Sequence, residues 1–377
     1  MTALTKTPQI TPSEATSRPL PGLFNPSGMA QRLQASSLLA IGPSEPGPAL
    51  RRGALIAVPI AVTLILEFGF ESPTKGALGT GAMVCGFAAM DAPARPRAAW
   101  QAATAVAIGL AAALGVLSSQ YAVTAALAMG LLGVLAGYCF AVSLRLAICG
   151  LSTVLALLIT QGLFLPAGDA GSALLWALGG ASTQVLWSLI VWVFFDRAAD
   201  QSESGWNSRR VIAALRANLD LRSPAARHAI RFGAALAAGV AVYRIVGFHD
   251  HGYWVPLTIL FVMRPEQGES YHRIVLRAAG TVVGLVIATA LAEVIGSDLV
   301  DGILLSIAAA LAYGLLTVQY ALFTASITTF VVLLTDTLGE PALDAAGQRG
   351  LGTAIGLAIV FLAFVLWPNP SEEPQPG

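Results

Sequence analysis

The feature that most constrains this chain is a series of apolar segments, each close to the length that crosses a lipid bilayer, separated by short polar turns. A helix needs about 20 apolar residues to span the hydrocarbon core, where its backbone groups must bond to one another. Charged residues make up 11% of the chain and hydrophobic residues 56%, whereas soluble domains carry about 25% charged residues. The sequence therefore predicts an all-α integral membrane protein.

The placement of these segments divides the chain into two blocks. The five parts are a tail at 1–48, a first block at 49–196, a linker at 197–227, a second block at 228–368 and a tail at 369–377. Six apolar segments fit in each block, which predicts about twelve transmembrane helices. The segments at 75–90 and 254–263 are short for a full crossing. Amphipathic surface helices are expected before each block, at 29–40 and 211–221.

The two blocks share a sequence pattern. Arg51 and Gly53 align with Arg231 and Gly233, and Arg97 aligns with Arg277 at the same offset. A block that crosses the membrane six times ends on the side where it began, so both blocks enter from the same side. We therefore expect two parallel six-helix repeats, related by an axis along the membrane normal.

The distribution of basic residues predicts the orientation. Of the 21 Lys and Arg residues, all but Lys75, Arg244 and Arg349 fall on one side of the expected layout. In this layout Arg349 lies in a loop that precedes a last span at 351–367. Cytoplasmic loops of membrane proteins are enriched in Lys and Arg. Both termini and the linker are therefore expected in the cytoplasm.

Several functional classes are disfavoured by the sequence. The formal net charge is zero, whereas a nucleic-acid partner requires a basic face. No phosphate-binding loop, nucleophile elbow or dinucleotide-binding glycine pattern appears in a strand–helix context. The three cysteines lie inside apolar runs and do not form a metal-binding motif. We therefore expect no enzyme activity, no catalytic residue, no cofactor and no metal site.

Residues 253–284 combine a short apolar run, a compact charged hairpin and the start of a long helix rich in small residues. This stretch resembles the most recognisable segment of the FUSC superfamily, which comprises fusaric acid resistance-like proteins and aromatic acid exporters. The matching residues are Tyr253, Trp254, Pro256, Thr258, Arg264, Pro265, Arg277, Gly280, Thr281 and Gly284. The resemblance implies a bacterial inner membrane efflux protein that exports small organic acids, in particular aromatic carboxylic acids.

Arginine side chains are the main candidates for binding such a substrate, because the guanidinium fork can donate two parallel hydrogen bonds to a carboxylate. The candidate substrate-binding residues are Arg97, Tyr253, Trp254, Arg264, Arg277 and Thr281. The charged residues between 264 and 277 could instead form an ion-paired cytoplasmic turn that only sets the topology.

Ionisable residues near the outer ends of apolar runs are candidates for proton coupling, because charge inside a membrane is costly. These residues are Glu67 and Asp336, together with His249, Asp250 and His251, since histidine titrates near neutral pH. The alternative is that Glu67 and Asp336 are ordinary charges at helix ends.

The chain has no phosphate-binding loop, which argues against transport driven by ATP hydrolysis. The expected function is therefore a secondary transporter, with a proton gradient as the candidate energy source. An anion channel of the same fold, or a membrane assembly or scaffold protein without transport, are the alternatives. The expected partners are the lipid bilayer, a small organic anion, and either a second copy of the chain or a periplasmic adaptor protein.

Overall fold

The computed structural model describes residues 45–69, 76–195, 213, 220, 223–247, 251–293 and 298–368. Within these residues the chain forms twelve α-helices and no strand, which confirms the all-α class. The first half contains α1 (Pro46–Gly69), α2 (Ala77–Gly86), α3 (Ala94–Ser118), α4 (Ala122–Cys139), α5 (Leu144–Gly162) and α6 (Ala170–Phe195). The second half contains α7 (Pro224–Val246), α8 (Trp254–Val262), α9 (Gln267–Ala292), α10 (Asp298–Leu315), α11 (Tyr320–Thr337) and α12 (Ala342–Leu366). The predicted surface helices lie outside the described residues, apart from residues 213 and 220.

Nine of the described helices are long and apolar enough to cross a membrane. The others are α2, α8 and α10, with α2 and α8 only 10 and 9 residues long. A helix of that length extends for about 15 Å, half the thickness of the hydrocarbon core. The second helix of each half is therefore too short to cross the bilayer, as its apolar segment indicated. In the described part of the chain, the lengths and composition of the helices thus support nine of the predicted twelve crossings.

The helices of the two halves make matching contacts. α3 packs on α5 and α6, and α9 packs in the same way on α11 and α12. The short helix α2 contacts α1 and α6, just as α8 contacts α7 and α12. Two extensive contacts join the halves, α1 with α10 and α4 with α7. The most extensive helix contacts of the first half thus recur in the second half.

Glycines allow the two helix pairs that join the halves to approach closely. A Cβ atom added at Gly53 would lie 2.6 Å from the carbonyl oxygen of Ala310 on α10. A Cβ atom added at Gly233 would lie 2.5 Å from the carbonyl oxygen of Gly130 on α4. Small residues at such crossings let membrane helices pack backbone against backbone. The glycines that align in the sequence therefore lie at equivalent crossings.

Apolar stripes face away from the helix bundle. On α4, Leu127, Leu131 and Leu135 have exposed fractions of 60%, 68% and 63% and recur once per helical turn. A water-soluble protein rarely exposes a continuous apolar stripe of this kind. Contact with lipid acyl chains accounts for it, and the fold is that of a multi-pass membrane protein.

The last helix begins earlier than predicted. α12 starts at Ala342 and not at residue 351, because its first turns already bury one side. Its buried residues have helical spacing and include Ala342, Ala345, Arg349 and Gly352. The prediction that Arg349 lies in a loop was therefore wrong. Asp344 and Gln348 lower the mean hydropathy of this segment and conceal the helix in the sequence.

Candidate functional site

A cavity of about 410 Å³ lies between the two halves. Its walls come from α2, α3, α5 and α6 of the first half and from α8, α9, α11 and α12 of the second. Most of the lining is apolar, and five aromatic side chains contribute to it: Phe87, Trp176, Tyr253, Phe261 and Phe330. The volume falls in the range of small-molecule sites, which is about 300–1,000 Å³.

Two arginines line this apolar cavity. Arg277 comes from α9 and Arg349 from α12, and both side chains are fully buried. None of the three guanidinium nitrogens of either residue makes a hydrogen bond. Among the described residues, no carboxylate forms an ion pair with them. The other charged residue among the described lining residues is Asp169, which lies in the α5–α6 connection and is only half-buried.

The neighbours of the two guanidinium groups are aromatic. Arg277 lies 5.4 Å from the ring centre of Phe261, and Arg349 lies 5.5 Å from that of Trp254. Tyr320 lies beside Arg277, and its hydroxyl donates to the carbonyl oxygen of Phe261 at 3.0 Å. Ring faces attract cations, but this attraction compensates only part of the cost of burying an unpaired charge. The cavity is thus a cationic chamber suited to an anionic ligand.

The two ends of the cavity differ. At one end it is lined by residues of the helix connections, among them Gly76, Leu165 and Leu338. At the other end it reaches Phe87 and Phe261, near the carboxyl ends of the two short helices. Their ring centres lie 6.4 Å and 5.8 Å from that of Phe323, which is fully buried on α11. Aromatic side chains therefore pack against one another at this end of the cavity.

Two of the predicted substrate-binding residues, Arg277 and Tyr253, line the cavity. Trp254 is fully buried beneath Arg349. Thr281 is buried on α9, about one turn beyond Arg277, and its hydroxyl has no hydrogen-bond partner. Trp254 and Thr281 are thus close to the chamber but are not part of its lining.

Arg264 and Arg97 lie away from the cavity. Arg264 follows α8, where its Nη1 donates to the carbonyl oxygen of Met263 at 2.9 Å. Desolvation and the nearby charge of Arg273 lower the pKa of Arg264 to about 9, so the side chain stays cationic at neutral pH. Arg97 donates from Nε to Ser188 Oγ at 3.1 Å. The aligned residues Arg97 and Arg277 therefore have different surroundings.

The charged hairpin at 264–277 contains an ion pair. Such a pair is expected if the hairpin is an ion-paired turn that sets the topology. Arg273 Nε lies 2.9 Å from Glu269 Oε1, one turn apart on α9. Arg277 lies one turn further along α9 and is buried, so it is separated from this surface pair. The hairpin and the buried arginine are therefore distinct structural elements.

The carboxylates of Glu67 and Asp336 bind the amino ends of helices. Glu67 is buried, and its two oxygens accept hydrogen bonds from the backbone N–H groups of Leu78 (3.0 Å) and Gly79 (3.1 Å). Asp336 Oδ1 accepts from the N–H of Ala342 at 3.0 Å. These N–H groups belong to the first turns of α2 and α12, which lack partners within their own helices. Both carboxylates thus have capping roles.

Replacement of Glu67 by alanine is expected to destabilise the protein by about 1.5–3 kcal/mol, since it removes two hydrogen bonds to a charged acceptor. Glu67→Gln keeps one acceptor oxygen and should lose less. The midpoint of thermal unfolding of the purified protein measures both effects. The matched control is Glu266→Ala, because Glu266 is exposed and makes no capping bond. Equal midpoints for Glu67→Ala and the control would contradict the capping role.

His251 contacts Glu340 and Trp254. Its Nε2 lies 3.1 Å from Glu340 Oε2, and its ring centre lies 4.2 Å from that of Trp254. His251 is therefore fixed above the residue that supports Arg349. The other two candidates from the same segment, His249 and Asp250, lie outside the described residues.

Arg349 is the site residue that the sequence interpretation missed. The available signal was helical spacing, since Ala345, Arg349, Gly352 and Gly356 recur on one face. In the structure Gly352 and Gly356 pack against Trp254 and Thr258 of α8. An arginine in register with such a packing face lies inside the bundle.

Comparison with known proteins finds similarity in the second half of the chain. Residues 234–363 match the sequence model of a family described as fusaric acid resistance protein-like. The inner membrane protein YccS of Escherichia coli is 39% identical over 144 residues, which are 38% of this chain and 20% of YccS. An uncharacterized protein of Haemophilus influenzae is 28% identical over 162 residues, which are 43% of this chain and 22% of the relative.

These matches cover only part of each protein. A third relative, the uncharacterized protein YhfK of Escherichia coli, is 40% identical over 81 residues, which are 21% of this chain and 11% of YhfK. The chain thus spans about a fifth of the length of the first two relatives. No solved structure matches the chain. The family match begins within α7, ends within α12 and contains both cavity arginines. The second half of the chain is therefore similar to the fusaric acid resistance protein-like family.

Proposed function

We propose that this protein is a secondary transporter of a bacterial inner membrane that exports small organic acids, with aromatic carboxylic acids as the substrate class. The proposal includes two parallel six-helix repeats with both termini in the cytoplasm. The family match and the name of the inner membrane protein YccS support the location. The matching helix contacts of the two halves support the repeats.

The observation that carries the proposal is the pair of buried arginines in an apolar cavity between the halves. A charged side chain at this depth is costly and is typically retained for a substrate or ion. Guanidinium groups bind carboxylates through parallel hydrogen bonds, and the aromatic walls provide surfaces for a ring. The cavity chemistry thus fits an aromatic carboxylate.

The aromatic packing at one end of the cavity favours a transporter over a channel. Phe87, Phe261 and Phe323 pack at that end, whereas the other end reaches the helix connections. In the proposed orientation the end at these helix connections faces the periplasm. Short helices that end beside a central site, like α2 and α8 here, are also a feature of transporters with repeated halves.

Transport by the purified protein in proteoliposomes tests the proposal. Export of benzoate, measured above the leak of protein-free liposomes, is expected to saturate with substrate concentration. Arg277→Gln should lower the rate by about tenfold or more, because it removes a charge-assisted contact with the carboxylate. Arg277→Lys should restore little, since an ammonium group cannot bind in two-pronged fashion.

The matched control for this experiment is Arg52→Gln, because Arg52 is exposed on α1. Full transport in correctly folded Arg277→Gln would exclude the cavity as the substrate site. A flux that does not saturate would favour the anion channel. No flux of any aromatic acid in the parent protein would favour the assembly or scaffold role.

Proton coupling is part of the proposal, with Glu67, Asp336 and His251 as candidates. An imposed pH gradient should then accelerate export. If a carboxylate carries the proton, Glu67→Gln or Asp336→Asn should lose this acceleration and keep downhill exchange. Because both carboxylates also cap helices, the unfolding midpoint of each variant is compared with that of the parent protein.

A further inference from the structure

We infer that the ligand of the cavity carries two negative charges, one for each guanidinium group of Arg277 and Arg349. This inference rests on the proposed function and narrows its substrate class to aromatic dicarboxylates. It also assigns Arg349, which lies outside the family motif of residues 253–284, as a second substrate-binding residue.

Charge balance carries the argument. Both arginines are fully buried and make no hydrogen bond through their guanidinium nitrogens. Both line the same cavity. A buried cation needs an anionic partner, and the described lining residues offer only the half-buried Asp169 at the end formed by the helix connections. A monocarboxylate would neutralise one guanidinium and leave the other unpaired in an apolar chamber.

The placement of the two arginines favours a ligand that contacts both guanidinium groups. Arg277 comes from α9 and lies over Phe261, whereas Arg349 comes from α12 and lies over Trp254. Each guanidinium thus has its own aromatic support on α8. A rigid ring with two carboxylates can engage both at once, and the apolar walls can enclose the ring. The volume of about 410 Å³ is sufficient for a one-ring acid.

Binding to the purified full chain in detergent tests this inference. Isothermal titration compares benzoate with the three benzenedicarboxylate isomers and with the monoamide of the isomer that binds best. The monoamide has the same shape as the dicarboxylate and carries one charge. We expect the best dicarboxylate to bind about tenfold or more tightly than both monoanions, at one molecule per protein.

Variants of Arg349 separate charge from shape. In Arg349→Gln the affinity for the dicarboxylate should become about equal to that for its monoamide, while the affinity for benzoate changes little. Arg349→Lys keeps the charge but loses the two-pronged contact, so it should keep part of the preference that Arg349→Gln loses, which guards against a folding defect in the glutamine variant. Arg52→Gln, at an exposed position, should leave every affinity unchanged.

Three outcomes would overturn the inference: equal affinity for the dicarboxylate and its monoamide, binding of two benzoates per protein, or loss of all binding to the same extent in Arg349→Gln and Arg349→Lys. In the first two outcomes an aromatic monocarboxylate still binds, so the proposed export of aromatic acids would stand without the second charge. If none of these acids binds to the parent protein, the proposed function fails as well.

Discussion

Replacement of Arg349 by methionine is expected to stabilise the protein while it abolishes the preference for a doubly charged ligand. The guanidinium is fully buried and makes no hydrogen bond. Replacing buried charges by apolar side chains of similar volume is often neutral or stabilises proteins by about 1–4 kcal/mol. Methionine is flexible enough to fill the space beside Trp254. Stability and ligand binding should therefore change in opposite directions.

The midpoint of thermal unfolding without ligand measures this effect, and titration with the best benzenedicarboxylate measures the binding. The same substitution at the exposed Arg52 is the control, because a solvated charge there has no comparable burial cost. A lower midpoint for Arg349→Met than for the parent protein would mean that the arginine stabilises the fold. It would then be a structural residue, and the anion site would lose one of its two contacts.

Valine at Gly53 or Gly233 is expected to prevent assembly of the two halves. At both positions even a Cβ atom would lie within 2.6 Å of a backbone oxygen on the neighbouring helix. The helices would have to move apart along the contacts that join the halves. Overpacking typically costs about 1–3 kcal/mol where side chains can adjust. Backbone atoms cannot move aside in this way, so we expect little folded protein.

Size-exclusion chromatography of detergent extracts measures this outcome as loss of the monodisperse peak. Gly53→Ala and Gly233→Ala should give intermediate losses. The control is Gly347→Val, on an exposed position of α12 where an added Cβ would meet no atom within 4 Å. A normal peak for Gly53→Val would show that α1 and α10 are not in close contact.

The positions of the helices could be predicted because apolar segments and polar turns alternate clearly in this chain. The short helix α8 followed from Arg264 and Pro265, which interrupt its apolar run after Met263. The start of α12 could not be predicted from hydropathy, because Asp344 and Gln348 resemble loop residues. The burial of Ala342, Ala345 and Arg349 against the rest of the bundle accounts for the early start.

The candidate site was predicted in part. Arg277 and Tyr253 were selected by the family motif, and both line the cavity. Arg349 was missed because its distance in sequence from Arg277 gives no sign that they share a chamber. The capping roles of Glu67 and Asp336 could not be predicted either. The N–H groups that they bind belong to the next helix in the chain, beyond the connecting segment. Residues that meet only through tertiary contacts leave no local pattern.

The close crossing of α1 and α10 has a consequence for biosynthesis. α1 makes its most extensive contact with α10, so the first of the described helices to be synthesised finds its main partner among the last of them. Until then the face of α1 that contains Gly53 must be covered by lipid or by a membrane chaperone. A chain truncated before α10 would keep this face exposed, which would mark it for proteolytic quality control in the membrane.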